Sequence, residues 1–505
     1  MATITVDGRV IQTKENALLI EELLTNGVSV PHFCYHPALG TDGNCRMCMV
    51  EIEGKKRPQI ACDTPVVDGM IVRTKGENID KVKRSILELE LINHPIDCPI
   101  CDQAGECELQ NYYMDVGLYE SRLNTPKVQG KKHVDLGANV VLDQDRCVMC
   151  TRCVRFTKDI TKTNELGVFD RTDHSVISIF PGRPLSNPYA MNVIDLCPVG
   201  ALTSKDFRFN KRVWFLKPDE AICNGCAKGC SIYVDHHKAK YENDSIFRYR
   251  PRFNDKVNGY FMCDAGRLSY KNENENRESH ASIRGSESEY AYTQGKLLRL
   301  LKRHHGKILF LVSPSLSLEE MARVKQLAEK YSAKLSGYDT REYDKDFGDD
   351  YLKCNDLSTN RRGFDVLGID ESKENLKEFT IGVELAVLIG RDDIESIENY
   401  EDIKAKAVIS AETPRNNEIY DLYLPILTHT CKEGTYINID GYLQFSKTHV
   451  EKPNETESLL KVISLILEDD ISTCKSVWED SLSKIIKNIT LKNIKRESIK
   501  MAAYD

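Results

Sequence analysis

The chain opens on ITVDGRVI, two runs of alternating apolar and polar positions joined by Asp7-Gly8. That pattern predicts a β-hairpin, because glycine takes positive φ without a Cβ clash. ENALLIEELLTNG then spaces its apolar residues at helical intervals and stops at Gly27, which predicts a short closed helix. CMVEIEG and QIACDTPVV read as strands, and KVKRSILELELINHP as a second helix. From about residue 275 the pattern changes, with the polar KNENENRESH predicting a linker. Beyond it KILFLV, LAVLIG and KAVIS are short, mainly apolar runs of the kind buried in a parallel sheet. SLEEMARVKQLAEKY predicts a helix opened by a capping box of Ser317 with Glu320, and YINIDGYLQF repeats the Asp-Gly hairpin signal.

Composition adds little until the cysteines are placed. With 505 residues, 41% hydrophobic and 29% charged, the chain has the make-up of a multidomain globular protein. Its apolar runs fall far short of the ~18 residues needed to cross a bilayer, and its start lacks a charged segment followed by an apolar one. The expectation is a protein neither secreted nor integral to a membrane. A formal charge of -8 argues against a general affinity for nucleic acid. Fifteen of the eighteen cysteines precede residue 264, leaving Cys354, Cys431 and Cys474 in the remainder. Cysteines so concentrated, without a secretion signal, point to metal rather than disulfides.

Spacing divides them into four groups. Cys34, Cys45, Cys48 and Cys62 follow C-x10-C-x2-C-x13-C, with three on a loop that carries Gly40 and Gly43. Four thiolates suit tetrahedral zinc or a [2Fe-2S] cluster, and a glycine-containing loop with a distant fourth ligand favours the cluster. His94, Cys98, Cys101 and Cys107 form H-x3-C-x2-C-x5-C. A histidine at a helix end is commonly a cap, but three cysteines leave a [4Fe-4S] cubane one ligand short, and imidazole can fill the gap. A Cys3His zinc site is the alternative. Cys147, Cys150 and Cys153 are joined by Cys197, which precedes Pro198. In two-cluster ferredoxins such a triad carries a fourth cysteine for the other cluster; here that place is Thr157, and Asn187, Ala190 and Val193 stand where the second triad would be. One complete [4Fe-4S] site survives. Arg146, Arg152 and Arg155 flank it, either raising its potential or forming a solvated basic face. Last come Cys223, Cys226, Cys230 and Cys263, with Gly225 and Gly229 permitting close backbone approach to a further cubane.

These four groups, in this order, resemble the large iron–sulfur subunit (G or 75 kDa subunit) of proton-pumping NADH:quinone oxidoreductase, respiratory complex I. The resemblance covers residues 1 to about 272 and implies one [2Fe-2S] and three [4Fe-4S] clusters, the fourth being an extra, off-path centre. Iron-only hydrogenases share the first two motifs but would keep the double ferredoxin and add later cysteines. The implied fold is α+β and multidomain: a β-grasp [2Fe-2S] domain at 1–78, a helical His/Cys domain at 79–118, a ferredoxin-like [4Fe-4S] domain at 119–215, a molybdopterin-oxidoreductase-type [4Fe-4S] domain at 216–272, and a shortened, vestigial α/β domain at 273–505. No molybdopterin is expected, because that last region looks short for two pterins. Cys354, Cys431 and Cys474 read as buried hydrophobes or incidental thiols. His236-His237 and the lysines of the last fifty residues read as solvated faces.

The function so implied is a relay with no catalytic residues of its own and no cofactor-binding residues beyond the cluster ligands. It would take electrons from an NADH- and flavin-binding subunit of the translocase and pass them towards quinone in a respiratory chain. Other implied partners are a small [2Fe-2S] subunit, a ferredoxin-like two-cluster subunit and the quinone-site subunits, placing the chain peripherally on the cytoplasmic face of the inner membrane. Two other readings remain open: the electron-transfer subunit of a soluble NAD-linked hydrogenase or formate dehydrogenase, and a zinc-stabilised interaction protein.

Overall fold

In the computed structural model, Asp7 and Gly8 take positive φ, 50° and 85°, and turn strand β1 (Ala2–Val6) into β2 (Arg9–Thr13). The structure describes the chain apart from residues 118–119, 173, 278, 338–342, 372, 453–455 and 503–505. Two compact units emerge, Met1–Phe215 and Leu216–Asp505.

In the first unit, β1, β2, β3 (Met49–Ile52), β4 (Gln59–Ile60) and β5 (Ile71–Arg73) form one sheet in the order β2-β1-β5-β3-β4, with β1 and β5 parallel. Helix α1 (Leu19–Thr25) buries Leu19, Ile20 and Leu23 in the small core beside this sheet. Helix α2 (Glu77–Glu90) buries Ile79 and Leu87 along one face, as its apolar spacing requires. A short helix α3 (Glu108–Val116) follows, ended by Gly117 at φ 70°. The rest of the unit combines short helices with small antiparallel pairings, among them Val140–Leu142 with Leu202–Ser204 and Leu166–Phe169 with Val176–Ile179.

The second unit begins with three antiparallel strands, Lys217–Ile222, Ser231–Lys238 and Asp244–Pro251. Its centre is a seven-stranded sheet in which Lys334–Ser336, Ile308–Val312, Leu385–Ile389, Ala405–Ser410 and Leu422–Pro425 run parallel in that spatial order. Alternate residues serve two cores: Phe310 and Val387 face one, Leu309 and Leu388 the other. The helix Leu318–Lys330 opens on the Ser317–Glu320 capping box. Among the described residues no helix is long and apolar enough to cross a membrane.

Several expectations are corrected. KNENENRESH is no linker, since Tyr270–Asn276 is helical and its Glu273 is buried, paired with His429 Nδ1 at 3.1 Å and accepting from Thr430 N at 3.2 Å. Its partners lie far along the chain, so a polar run concealed a buried carboxylate. QIACDTPVV is not one strand: Gln59–Ile60 pairs in the sheet, Ala61–Asp63 is a tight 3-10 turn that carries Cys62, and Pro65 makes an isolated bridge to Leu18. His236 is buried, its ring held between Asp244 (Nδ1, 2.8 Å) and Asp219 (Nε2, 3.4 Å). Lys495 and Lys500 lie over the rings of Phe445 and Tyr442, at 4.5 and 5.2 Å.

Candidate metal centres

Cys34, Cys45, Cys48 and Cys62 are all buried and meet at one place, the Cys34 thiol bonding those of Cys45 and Cys62, and Cys48 that of Cys62. The loop can wrap them because Gly40, Gly43 and Arg46 adopt left-handed φ of 68°, 73° and 55°. Its amides aim at sulfur: Phe33 N and Cys34 N both lie 3.4 Å from Cys45 Sγ. Bonds from the Cys45 and Cys62 thiols hold Cys34 below the ordinary thiol range.

His94, Cys98, Cys101 and Cys107 line a single cavity with Leu91, Ile96 and Leu109. His94 lies beyond the end of α2 and does not cap it; its Nδ1 is shielded from solvent and has no hydrogen-bond partner among the described residues. Burial pushes the ring down to about 4 and the Cys107 thiol up to about 12. Neutral imidazole is the form that can ligate. Lys127 Nζ fixes the preceding backbone by donating to Leu91 O (2.6 Å) and His94 O (2.8 Å).

Cys147, Cys150 and Cys153 stand on a loop whose Met149 and Thr151 take φ of 49° and 60°, and on the short helix Arg152–Arg155 that follows. Cys197 ends the helix Asn192–Leu196. Burial raises all four thiols, Cys147 to about 12, while amides of Met149, Arg152, Val154 and Val199 point at the sulfurs. At the position of the missing cysteine, Thr157 is fully buried and bonds Val154 O at 3.0 Å. Where a second cluster would need its triad, Ala190 and Val193 are buried, and Asn187 bonds the Glu165 carboxylate through both its backbone and its amide side chain.

In the second unit the hairpin register sets Ile222 opposite Ser231, so Cys223 and Cys230 stand at its mouth, with Cys223 N bonded to Cys230 O at 2.8 Å. Cys226 lies on the connecting loop. Cys263 caps the helix Asp264–Leu268, its Sγ accepting from Gly266 N at 3.3 Å. Cys354, expected to be incidental, instead bonds the Cys226 thiol. Cys474 is buried and donates to Glu433 O at 3.1 Å, and Cys431 accepts from Thr428 Oγ1 at 3.5 Å.

What spacing did not reveal is how the first three sets are joined. Arg146 and Arg152 are buried, so they are no solvated face: Arg146 pairs with Asp97 at 2.8 Å, and Arg152 donates to Tyr35 O (2.7 Å) and Leu196 O (3.2 Å). Arg155 donates to Leu39 O, Gly40 O and Cys34 O. Two guanidinium groups thus stitch the first ligand loop to the third. The third adjoins the second through the residues after Cys197: Pro198 O accepts from Glu108 N at 2.9 Å, and a Cβ on Gly200 would strike Cys101 Sγ. Only glycine fits there.

These residues fit iron–sulfur clusters. The donor sets are thiolate-rich, amides converge on the sulfurs, and glycines clear space beside Cys101, Cys223 and Cys263. Burial raises most of these thiols, so as thiolates they would need a positive charge beside them, which a bound cluster would supply. Among the described residues no three His, Cys, Asp or Glu side chains group as they would round one ion. A four-iron cubane takes one ligand at each iron and a two-iron cluster two at each, so neither needs three side chains gathered round one ion.

Residues 1–77 match the family described as a 2Fe-2S iron-sulfur cluster binding domain. Residues 83–122 match the NADH-ubiquinone oxidoreductase-G iron-sulfur binding region, and residues 137–203 the ferredoxin-like domain of NADH-quinone oxidoreductase subunit 3. The G subunit of NADH-quinone oxidoreductase from Mycobacterium bovis is 37% identical over 272 residues, 54% of this chain and 33% of the relative. The chain is a relative of the NADH-quinone oxidoreductase G subunit. The G subunit from Rickettsia felis is 33% identical over 354 residues, 69% of this chain and 51% of its own. The matched stretches therefore span a third to about half of these relatives. A solved NAD+-reducing [NiFe]-hydrogenase in the H2-reduced state is 29% identical, covering 42% of this chain and 91% of that one, with a TM-score of 0.38. The chain accordingly contains 2Fe-2S and 4Fe-4S binding domains of mixed helix and sheet.

Proposed function

We propose that this chain is an electron-transfer subunit of an NADH:quinone oxidoreductase, accepting electrons from an NADH- and flavin-binding partner and passing them towards quinone-site partners. One [2Fe-2S] cluster is held by Cys34, Cys45, Cys48 and Cys62. Three [4Fe-4S] clusters are held by His94, Cys98, Cys101 and Cys107; by Cys147, Cys150, Cys153 and Cys197; and by Cys223, Cys226, Cys230 and Cys263. The domain boundaries fall near residues 78, 118, 215 and 272, and the α/β remainder is structural. The subunit is peripheral to the membrane through its partners.

The observation that carries this reading is the continuity of the three ligand sets in the first unit. Arg152 and Arg155 tie the first to the third, and Pro198 and Gly200 tie the third to the second. Bound clusters supply one-electron storage and transfer. The chain orders the ligands, shields them from water and aims amides at their sulfurs, which sets how readily charge is accepted. Entry at the two-iron site and exit at the His94 site follow that line.

Metal analysis and low-temperature EPR of the purified holoprotein test it. Four clusters require about fourteen iron atoms per chain and no zinc. Stoichiometric zinc would overturn the reading. His94→Cys should alter the spectrum or potential of one cubane and leave the others as they were; unaltered spectra throughout would remove His94 from the ligand set.

A further inference from the structure

The fourth ligand set has a fifth thiol beside it. Cys354 is half-buried on a segment folded tightly against the Cys223–Cys230 loop. Asp349 Oδ1 accepts the amides of Tyr351, Leu352 and Lys353 at 2.9 to 3.2 Å, and Gly348 N bonds Asn355 Oδ1 at 2.6 Å. The segment then fastens to residues on both sides of Cys226. Ala227 N donates to Asp356 O at 2.8 Å, and Thr359 Oγ1 to Asn224 Oδ1 at 2.6 Å. So held, the Cys354 thiol meets that of Cys226.

We propose that Cys354 is a positioning residue of the fourth cluster, its S–H donating a hydrogen bond to the Cys226 thiolate and raising the potential of that cluster alone. The inference rests on Cys226 being a cluster ligand. A ligand sulfur is a thiolate and has no proton to give, so any hydrogen bond between the two sulfurs is donated by Cys354. Among the described residues the other acceptor within reach of its Sγ is Leu352 O, at 3.8 Å, a neutral oxygen at marginal range. The charged sulfur is the stronger partner. A hydrogen bond to a ligand sulfur withdraws negative charge and favours the reduced cluster over the oxidised one. Amides donate to sulfurs in the other sets, as Cys34 N does to Cys45, Gln110 N to Cys107 and Met149 N to Cys147; here a side chain adds to them, and a side chain can be replaced.

The experiment is an EPR-monitored redox titration of the purified holoprotein carrying Cys354→Ala or Cys354→Ser, with iron content measured alongside. In Cys354→Ala the midpoint of one cubane should move to lower potential while the other three centres and the iron content stay unchanged. Cys354→Ser, which keeps a donor, should recover part of that shift. An unshifted cubane in Cys354→Ala would overturn the proposal, as would loss of about four irons, which would make Cys354 a ligand. If the unaltered protein held only three clusters, the ligand assignment of Cys226 would itself fall, and the role of Cys354 with it.

Discussion

The two units of this protein are held together by different means. In Met1–Phe215 no strand among the described residues exceeds five residues, and the apolar core around β1, β5 and α1 counts Cys48 and Cys62 among its members. Much of what orders its ligand loops is a set of side-chain bonds to backbone oxygen, from Lys127, Arg152, Arg155 and Arg212. Leu216–Asp505 has instead a continuous seven-stranded sheet with a core on each face, and its one ligand set hangs on an antiparallel hairpin. Where hydrophobic burial is scarce, the proposed clusters would take over the work of cross-linking the chain.

The sharpest way to break this contrast is to remove the metal. Protein produced without iron, or stripped by an anaerobic chelator, should lose amide-exchange protection through the three ligand loops of the first unit. The parallel strands Ile308–Val312 and Leu385–Ile389 should keep theirs. The loss in the first unit is expected to be complete, because its thiols, reprotonated, no longer join anything. Persistent protection of residues 34–62 and 147–155 in the iron-free protein would show that unit to be self-sufficient.

The same contrast explains what the sequence made legible. The candidate ligand triads are local: the steps from Cys147 to Cys150 to Cys153 are visible in the sequence because one loop would deliver them to one cluster. The Asp7-Gly8 hairpin and the Ser317–Glu320 box are local too. What could not be read joins distant residues. Arg155 reaches Leu39 and Gly40 from across the unit, Cys354 reaches Cys226, and Glu273 finds His429 out of a stretch that looks like solvated linker. The non-cysteine residues Thr157 and Asn187 were legible, but the Glu165 network that holds Asn187 was not, because nothing in the spacing of Thr163, Glu165 and Asn187 announces a shared partner.

If the second unit rests on its own core, a single deletion there should be felt there. Phe310 is fully buried in the second strand of the parallel set. Phe310→Ala should cost about 3 to 5 kcal/mol in the unfolding of residues 216–505. The cluster spectra of the first unit should be unchanged at temperatures where both variants are folded. Calorimetry with EPR on the same samples reads both, and a matching loss of the first unit's clusters would mean that the two do not unfold separately.

A smaller effect distinguishes electrostatic from apolar support inside the second unit. Burial opposes charge on the His236 ring, yet Asp219 and Asp244 outweigh it and raise the group to about 9. Both carboxylates are held below their ordinary range, so they stay ionised throughout the range in which the ring titrates. The stabilisation is therefore fully present below about pH 6.5, the free-histidine value, and is lost as pH rises through about 9. Its size is on the order of 3 kcal/mol, at the lower end of the range for the Phe310 deletion. Other groups, thiols above all, titrate over the same range, so the informative quantity is a difference between proteins. Amide exchange of Ser231–Lys238 should accelerate from about pH 7 to about pH 10 beyond the intrinsic rate in the unaltered chain, and His236→Gln should flatten that added slope while starting from a less protected strand. Equal slopes in the two proteins would mean that the hairpin carrying Cys223 and Cys230 is held by its apolar side alone, as the parallel sheet is, and not by the buried ion pairs at its far end.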